Sequence, residues 1–137
     1  MPLYLNHITV YGSLRRGQSR DFLEKTGCKY LGTYQISGRL WDLGDFPGYS
    51  KEHRGEEKVV VDLFKLPKNK TEKIKVLKTL DRVENFLYNR ETIMCFGYGV
   101  EAYIYTVRDW VMEGKEQITP SNPADWVEWV KSKSIHA

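Results

Sequence analysis

The sequence predicts an α+β fold: a small, mostly antiparallel curved sheet or β-barrel flanked by helices. Three observations carry that prediction. Stretches rich in β-branched and aromatic residues outnumber those with helical periodicity. They follow one another in a meander punctuated by Gly and Pro, as strand-dominated α+β folds do. Residues 90–107 read RETIMCF, GYG, VEAYIYTV: strand, tight connection, strand, the signal of a hairpin. No repeat, linker or low-complexity tract divides the 137 residues, so a single domain over 1–137 is expected, large enough to bury a core without metal or disulfide support.

Taken in order, residues 7–11 (HITVY) alternate and branch like a strand, and GSLRRG then breaks the pattern with small residues and two guanidinium groups. SRDFLEKTG predicts a short helix with Ser19 as N-cap and Gly27 as its stop. CKYLGTYQISGRLWDL predicts one or two strands, GDFPGYS a turn, and EKVVVDLFKL a well-buried strand ending at Pro67. The clearest helix covers residues 71–84, with Asn69 or Thr71 as cap and Ile74, Leu77, Leu80 and Val83 as its apolar stripe. A last helix, NPADWVEWVKSK, has Asn122 at the cap, Pro123 in the first turn, and Trp126, Trp129 and Val130 on one core-facing side. Along VEAYIYTV, Tyr103 and Tyr105 share one face and Ala102 and Ile104 the other; alternation leaves open which pair faces the interior.

The composition, 41% apolar and 28% charged, is that of a soluble globular protein, and no apolar run is long enough to cross a bilayer. MPLYLNHITV lacks the features of an export signal, so a cytoplasmic location is expected. Cys28 and Cys95 suit that reducing compartment and are too few for a disulfide framework. The net charge of +3 is concentrated in residues 65–78, KLPKNKTEKIKVLK. Its lysines flank apolar residues at helical spacing and read as a solvated face, so neither nucleic acid nor membrane is an expected partner. His7, His53 and His136 have no metal-ligand spacing with the cysteines, and neither metal nor cofactor is expected. Ser13 does not lie in a G-x-S-x-G elbow, and RRGQSR lacks the Gly-Lys-Ser/Thr ending of a P-loop. Oligomeric state is not legible.

One stretch breaks its own pattern. Counting three, four and seven residues from Leu77 in LKTLDRVENFLYNR reaches Leu80, Asp81 and Glu84, so an apolar helical face turns acidic in its last turn. Carboxylates there face the negative end of the helix dipole, which disfavours their ionised form. Two readings stand: a solvated helix end, with an acid paired to Arg82 or Arg90, or a carboxylate at the edge of the core acting as general base and then acid.

VYGSLRRG, then LWDLGDFPGYS, then LDRVENFLYNRETI, then EAYIYTV form an ordered set spanning residues 8–107. This set resembles the γ-glutamylcyclotransferase-like family, which includes γ-glutamylamine cyclotransferases and plant avirulence-induced-gene-like proteins. The resemblance implies a small barrel flanked by helices, with a ligand cavity beside residues 11–14. It implies that Glu84 is the catalytic acid/base, with Asp81 in support at the helix end. It further implies conversion of a γ-glutamyl amide, either a γ-glutamyl amine or a γ-glutamyl amino acid, to 5-oxoproline and a free amine. The substrate's own α-amino group is then the nucleophile.

On that reading the backbone N–H groups of residues 12–14 form an anion-binding concavity, with Gly12 letting a ligand approach and Tyr11, Ser13 and Leu14 completing the wall. Whether it holds the α-carboxylate or the oxyanion stays open. Arg15 and Arg16 are expected to attract an anionic substrate, solvated side chains being the alternative. Tyr88 is expected to line the pocket, Arg90 to order the segment after Glu84 by pairing with an acid such as Asp81, and Pro47 and Gly48 to shape the opposite rim or simply to turn the chain. The competing account is a non-catalytic binding module on the same fold that uses the basic helix to contact a partner.

Overall fold

The computed structural model describes residues 5–18, 22–53, 55–84, 86–118 and 123–135. The opening segment forms β1 (His7–Val10), and CKYLGTYQISGRLWDL forms two strands, β2 (Lys29–Ser37) and β3 (Arg39–Asp42). β4 (Pro47–Ser50) and β5 (Lys58–Lys65) precede helix α1 (Lys70–Glu84), and the hairpin follows as β6 (Tyr88–Cys95) and β7 (Val100–Val107). A short α2 (Asp109–Met112), the two-residue β8 (Glu116–Gln117) and α3 (Trp126–Ile135) complete the chain.

The strands make one curled, mixed sheet in the order β2-β5-β1-β7-β4-β3-β8, with β6 also on β7. Most neighbours are antiparallel, but β1 and β4 each lie parallel to β7. A strand has two edges. β6 occupies one edge of β7 along its whole length, from Tyr88 opposite Val107 to Cys95 opposite Val100. β1 and β4 must therefore share the other, β1 pairing at Tyr103 and β4 at Thr106. This fork is what positions the site. At the far side the sheet curls until Tyr34 of β2 reaches the turn after β6; a Cβ on Gly97 would lie 2.7 Å from its ring, and Tyr98 meets it edge-on at 5.9 Å.

Leu77 and Leu80 of α1 pack with Ile8, Phe64, Tyr103 and Tyr105 on one face of the sheet. Ile104, Val59, Val61 and Tyr49 pack with Trp126 and Trp129 of α3 on the other. Alternation along β7 thus sends its tyrosines under α1. Among the described residues no helix is long and apolar enough to cross a membrane.

Several local expectations are corrected. The helix expected over SRDFLEKTG is, among its described residues, a single 3-10 turn at Glu24–Thr26, closed by Gly27 at φ 92°, and Ser19 lies outside the described residues. Of the expected turn over residues 44–50 only 44–46 turn the chain, closed by Leu43 N–H donating to Phe46 at 3.1 Å; Pro47 begins β4, the position in a strand where a missing N–H is tolerated. Asn69 caps α1, its Oδ1 accepting from Glu72 N–H at 3.1 Å. Val83 is 44% exposed and Val76 takes its place in the core, because the last turn of α1 overhangs a cavity instead of packed side chains. α3 starts later than expected, with Asp125 Oδ1 accepting from Val127 N–H at 2.9 Å; Asn122 lies outside the described residues, and Val130 is exposed.

Candidate active site

Where β1 leaves the fork, the chain turns sharply, Arg15 N–H donating to the Gly12 carbonyl at 3.0 Å. Gly12 is required here by a close approach: a Cβ would lie 2.8 Å from Cγ and 2.9 Å from Cδ of Pro47. The space a side chain would take is thus filled by the proline ring and not by a ligand, which corrects the expected role of Gly12. The turn is fastened from behind. Asp62 on β5, 2% exposed, accepts from Arg16 N–H at 2.9 Å and from the Thr33 hydroxyl at 2.8 Å. Arg15 lies between two carboxylates, with its Nε 3.4 Å from Asp62 and a terminal nitrogen 2.9 Å from Asp125. A buried carboxylate is tolerated because it is multiply bonded and paired.

In front of the turn lies a cavity of about 320 Å³, walled by residues 9–14, by Phe46 and Pro47, by Leu87, Tyr88 and Tyr105, and by Arg82, Val83, Glu84 and Phe86 at the end of α1. Its size suits a small ligand. The tyrosine and threonine hydroxyl protons around it are already spoken for. Tyr11 donates to the Tyr105 carbonyl at 2.6 Å and accepts from Tyr49 N–H at 3.1 Å, so its oxygen fills the gap between the two strands of the fork. Tyr88 donates to the Pro47 carbonyl at 2.6 Å, Tyr105 to Asp81 at 2.6 Å, and Thr9 to the Tyr103 carbonyl at 3.1 Å. Among the described residues, the amides of residues 12–14 and the Ser13 hydroxyl donate to no protein acceptor. The wall therefore offers a ligand N–H groups at the turn and one small hydroxyl.

Burial, followed by the nearness of Tyr88 and Glu84, holds the Tyr11 phenol well above its ordinary value. Burial, followed by the hydrogen bond and charge of Asp81, does the same for Tyr105, and the Glu84 charge adds to it. Both stay neutral, and both feel the Glu84 carboxylate, which is the anionic group among the described cavity-lining residues.

Of the residues singled out from sequence, Tyr11, Gly12, Ser13, Leu14, Pro47, Glu84 and Tyr88 line this one cavity. Four others do not. Gly48 packs against Val107, where a Cβ would come within 2.8 Å, so it serves the β4–β7 contact. Asp81 stands behind Tyr105 and pairs with Arg90 at 3.3 Å, while the Arg90 guanidinium covers the Tyr103 ring at 4.9 Å. Arg15 is turned to its two carboxylates and fastens the turn; Arg16 pairs with Glu24 at 2.9 Å. Sequence reading missed Tyr105 and Phe46. Tyr105 was within reach, since its face follows once α1 is known to cover Tyr103. The Cys28 and Cys95 thiols are buried and pushed up by that burial, away from reactivity. Among the described residues no three His, Cys, Asp or Glu side chains converge to hold a metal.

The family model described as "Gamma-glutamyl cyclotransferase, AIG2-like" matches residues 8–128. Three solved structures share the fold. A protein specific to uropathogenic E. coli is 22% identical, with a TM-score of 0.72 over 92% of this chain and 95% of that one. An AIG2-like protein from Mus musculus is 18% identical, with a TM-score of 0.57 over 76% and 78%. The allophanate hydrolase of Kluyveromyces lactis is 13% identical, with a TM-score of 0.75 over 96% of this chain but 22% of that one, so the same fold recurs as part of a larger protein. No curated protein matches the sequence.

Proposed function

Because this chain belongs to the AIG2-like gamma-glutamyl cyclotransferase family, we propose that it converts a small γ-glutamyl amide to 5-oxoproline and a free amine, with Glu84 as the general base and acid. The supporting observation is that Glu84 and the amides of residues 12–14, which donate to no acceptor among the described residues, line one cavity of ligand size, in which the tyrosine hydroxyls are already bonded elsewhere.

The α-nitrogen of the substrate attacks its own γ-carbonyl carbon, the new C–N bond closes the five-membered ring, and the bond to the leaving nitrogen breaks. Holding the two ends in attack geometry is the main task and is worth on the order of 7–11 kcal/mol in favourable intramolecular cases. Two protons travel from the α-nitrogen to the leaving nitrogen, and one carboxylate at the cavity edge carries them in turn. The negative charge gathering on the carbonyl oxygen, and the α-carboxylate, are served by the N–H groups at the turn. Tyr11, Tyr88 and Tyr105 act as walls whose dipoles are fixed, since each has given its proton to a protein acceptor.

Release of 5-oxoproline from a panel of γ-glutamyl amines, γ-glutamyl amino acids and glutathione tests the reading. Glu84→Gln is expected to lower kcat roughly 10²- to 10⁴-fold with an unchanged melting temperature. An inert wild type, or a fully active Glu84→Gln, removes the proposal.

A further inference from the structure

The rim of the cavity differs from its floor. Tyr11 and Leu14 at the turn are 6% exposed, whereas Phe86 is 77% and Val83 44% exposed. Arg82, next to Val83 on the last turn of α1, is both cavity-lining and exposed. Unlike Arg15, Arg39 and Arg90, each beside a carboxylate, Arg82 makes no side-chain ion pair or hydrogen bond among the described residues. Among those residues the cavity thus holds one anion, Glu84, and one cation, Arg82.

Resting on the cyclotransferase reading, the location of these groups sorts the two ends of a substrate. The α-ammonium must reach Glu84, and the α-carboxylate, one carbon away, goes with it into the buried end, where the amides of residues 12–14 lie. Whatever is attached beyond the γ-amide must then project to the rim. We propose that Arg82 recognises a carboxylate on the leaving group, so that this enzyme prefers γ-glutamyl amino acids to γ-glutamyl amines, with Phe86 and Val83 flanking the aliphatic part. A cation in the last turn of a helix also suits the helix dipole, but that role needs no place at the cavity.

The test compares γ-glutamyl-alanine with γ-glutamyl-ethylamide, the same leaving group without its carboxylate. The wild type is expected to have the higher kcat/KM on γ-glutamyl-alanine. Arg82→Gln lowers the ratio of the two kcat/KM values roughly three- to tenfold, the range expected for a partly exposed charge pair, and does so mainly through KM. Arg82→Glu lowers the ratio further, and raising NaCl from about 0.05 to about 0.5 M lowers it in the wild type, because rim charges are screened. A ratio unmoved by either substitution, or equal losses on both substrates (the sign that Arg82 holds the glutamyl carboxylate instead), overturns this inference while 5-oxoproline formation continues. Absence of 5-oxoproline from either substrate with the wild type overturns the parent reading and this one with it.

Discussion

The two edges of β7 solve the same problem in different ways. Along one, β6 pairs residue for residue, and the backbone groups are satisfied by a regular ladder. Along the other, β1 and β4 each take one end, and the Tyr105 carbonyl between them is met by the Tyr11 hydroxyl. The regular edge is a scaffold. The divided edge leaves an opening, and that opening is where Glu84, the glycine turn and the cavity come together. A partly unpaired strand edge, closed by side chains, is thus a way to build a hollow without giving up backbone hydrogen bonds.

The strongest way to break this comparison is Tyr11→Phe. It strips the Tyr105 carbonyl and the Tyr49 N–H of one shared partner, and at about 1–3 kcal/mol for each buried unsatisfied group the loss of stability by chemical denaturation should be about 2–6 kcal/mol, with a fall in kcat as the fork loosens. Next is Gly12→Ala, whose methyl must displace the Pro47 ring. Overpacking of this kind costs about 1–3 kcal/mol, and 5-oxoproline formation should fall with it as the wall moves.

A smaller effect is expected with pH. Burial favours the neutral form of Asp42 on β3, but hydrogen bonds from the Trp129 indole (2.9 Å), the Gly44 amide (2.8 Å) and Lys133 (3.0 Å) outweigh it and hold the carboxyl below its ordinary value. The folded state therefore binds this proton less readily than the unfolded chain. Asp42 contributes stability above the unfolded carboxyl value of about 3.9, and that contribution fades as pH falls through the lower folded value. Asp42→Asn should flatten the acid limb of stability against pH; an unchanged limb refutes the assignment. Smallest of all is Met94→Ala on β6, 42% exposed on the regular edge, which should shift stability by no more than about 0.5 kcal/mol. A loss there comparable to that of Tyr11→Phe would mean that the two edges do not differ as described.

Apart from β4 and the two-residue β8, the strands, both long helices and the hairpin were legible in the sequence because period and capping chemistry are local. LDRVE announced its oddity in the same way, by putting acids where the apolar stripe should continue. Parallel contacts to β7 join residues 95 and 57 positions apart, Ile8 with Tyr103 and Tyr49 with Thr106, and no local signal encodes them. Without them the fork is invisible, and so is the reason Tyr11 carries a hydroxyl. The Pro-Gly pair misled for a related reason. Small and ring-shaped residues mark turns, but here they permit close approach, Gly48 to Val107 and Gly12 to Pro47.

Contact between Gly12 and Pro47 has a consequence for how such a protein can change. Opposing walls touch through main chain and a rigid ring, with no adjustable side chain between them, so the gauge of the hollow is set like that of a fixed die. Substitution around the mouth can then retune which molecules are admitted while the bore stays constant, and selectivity is free to drift without the chemistry drifting with it.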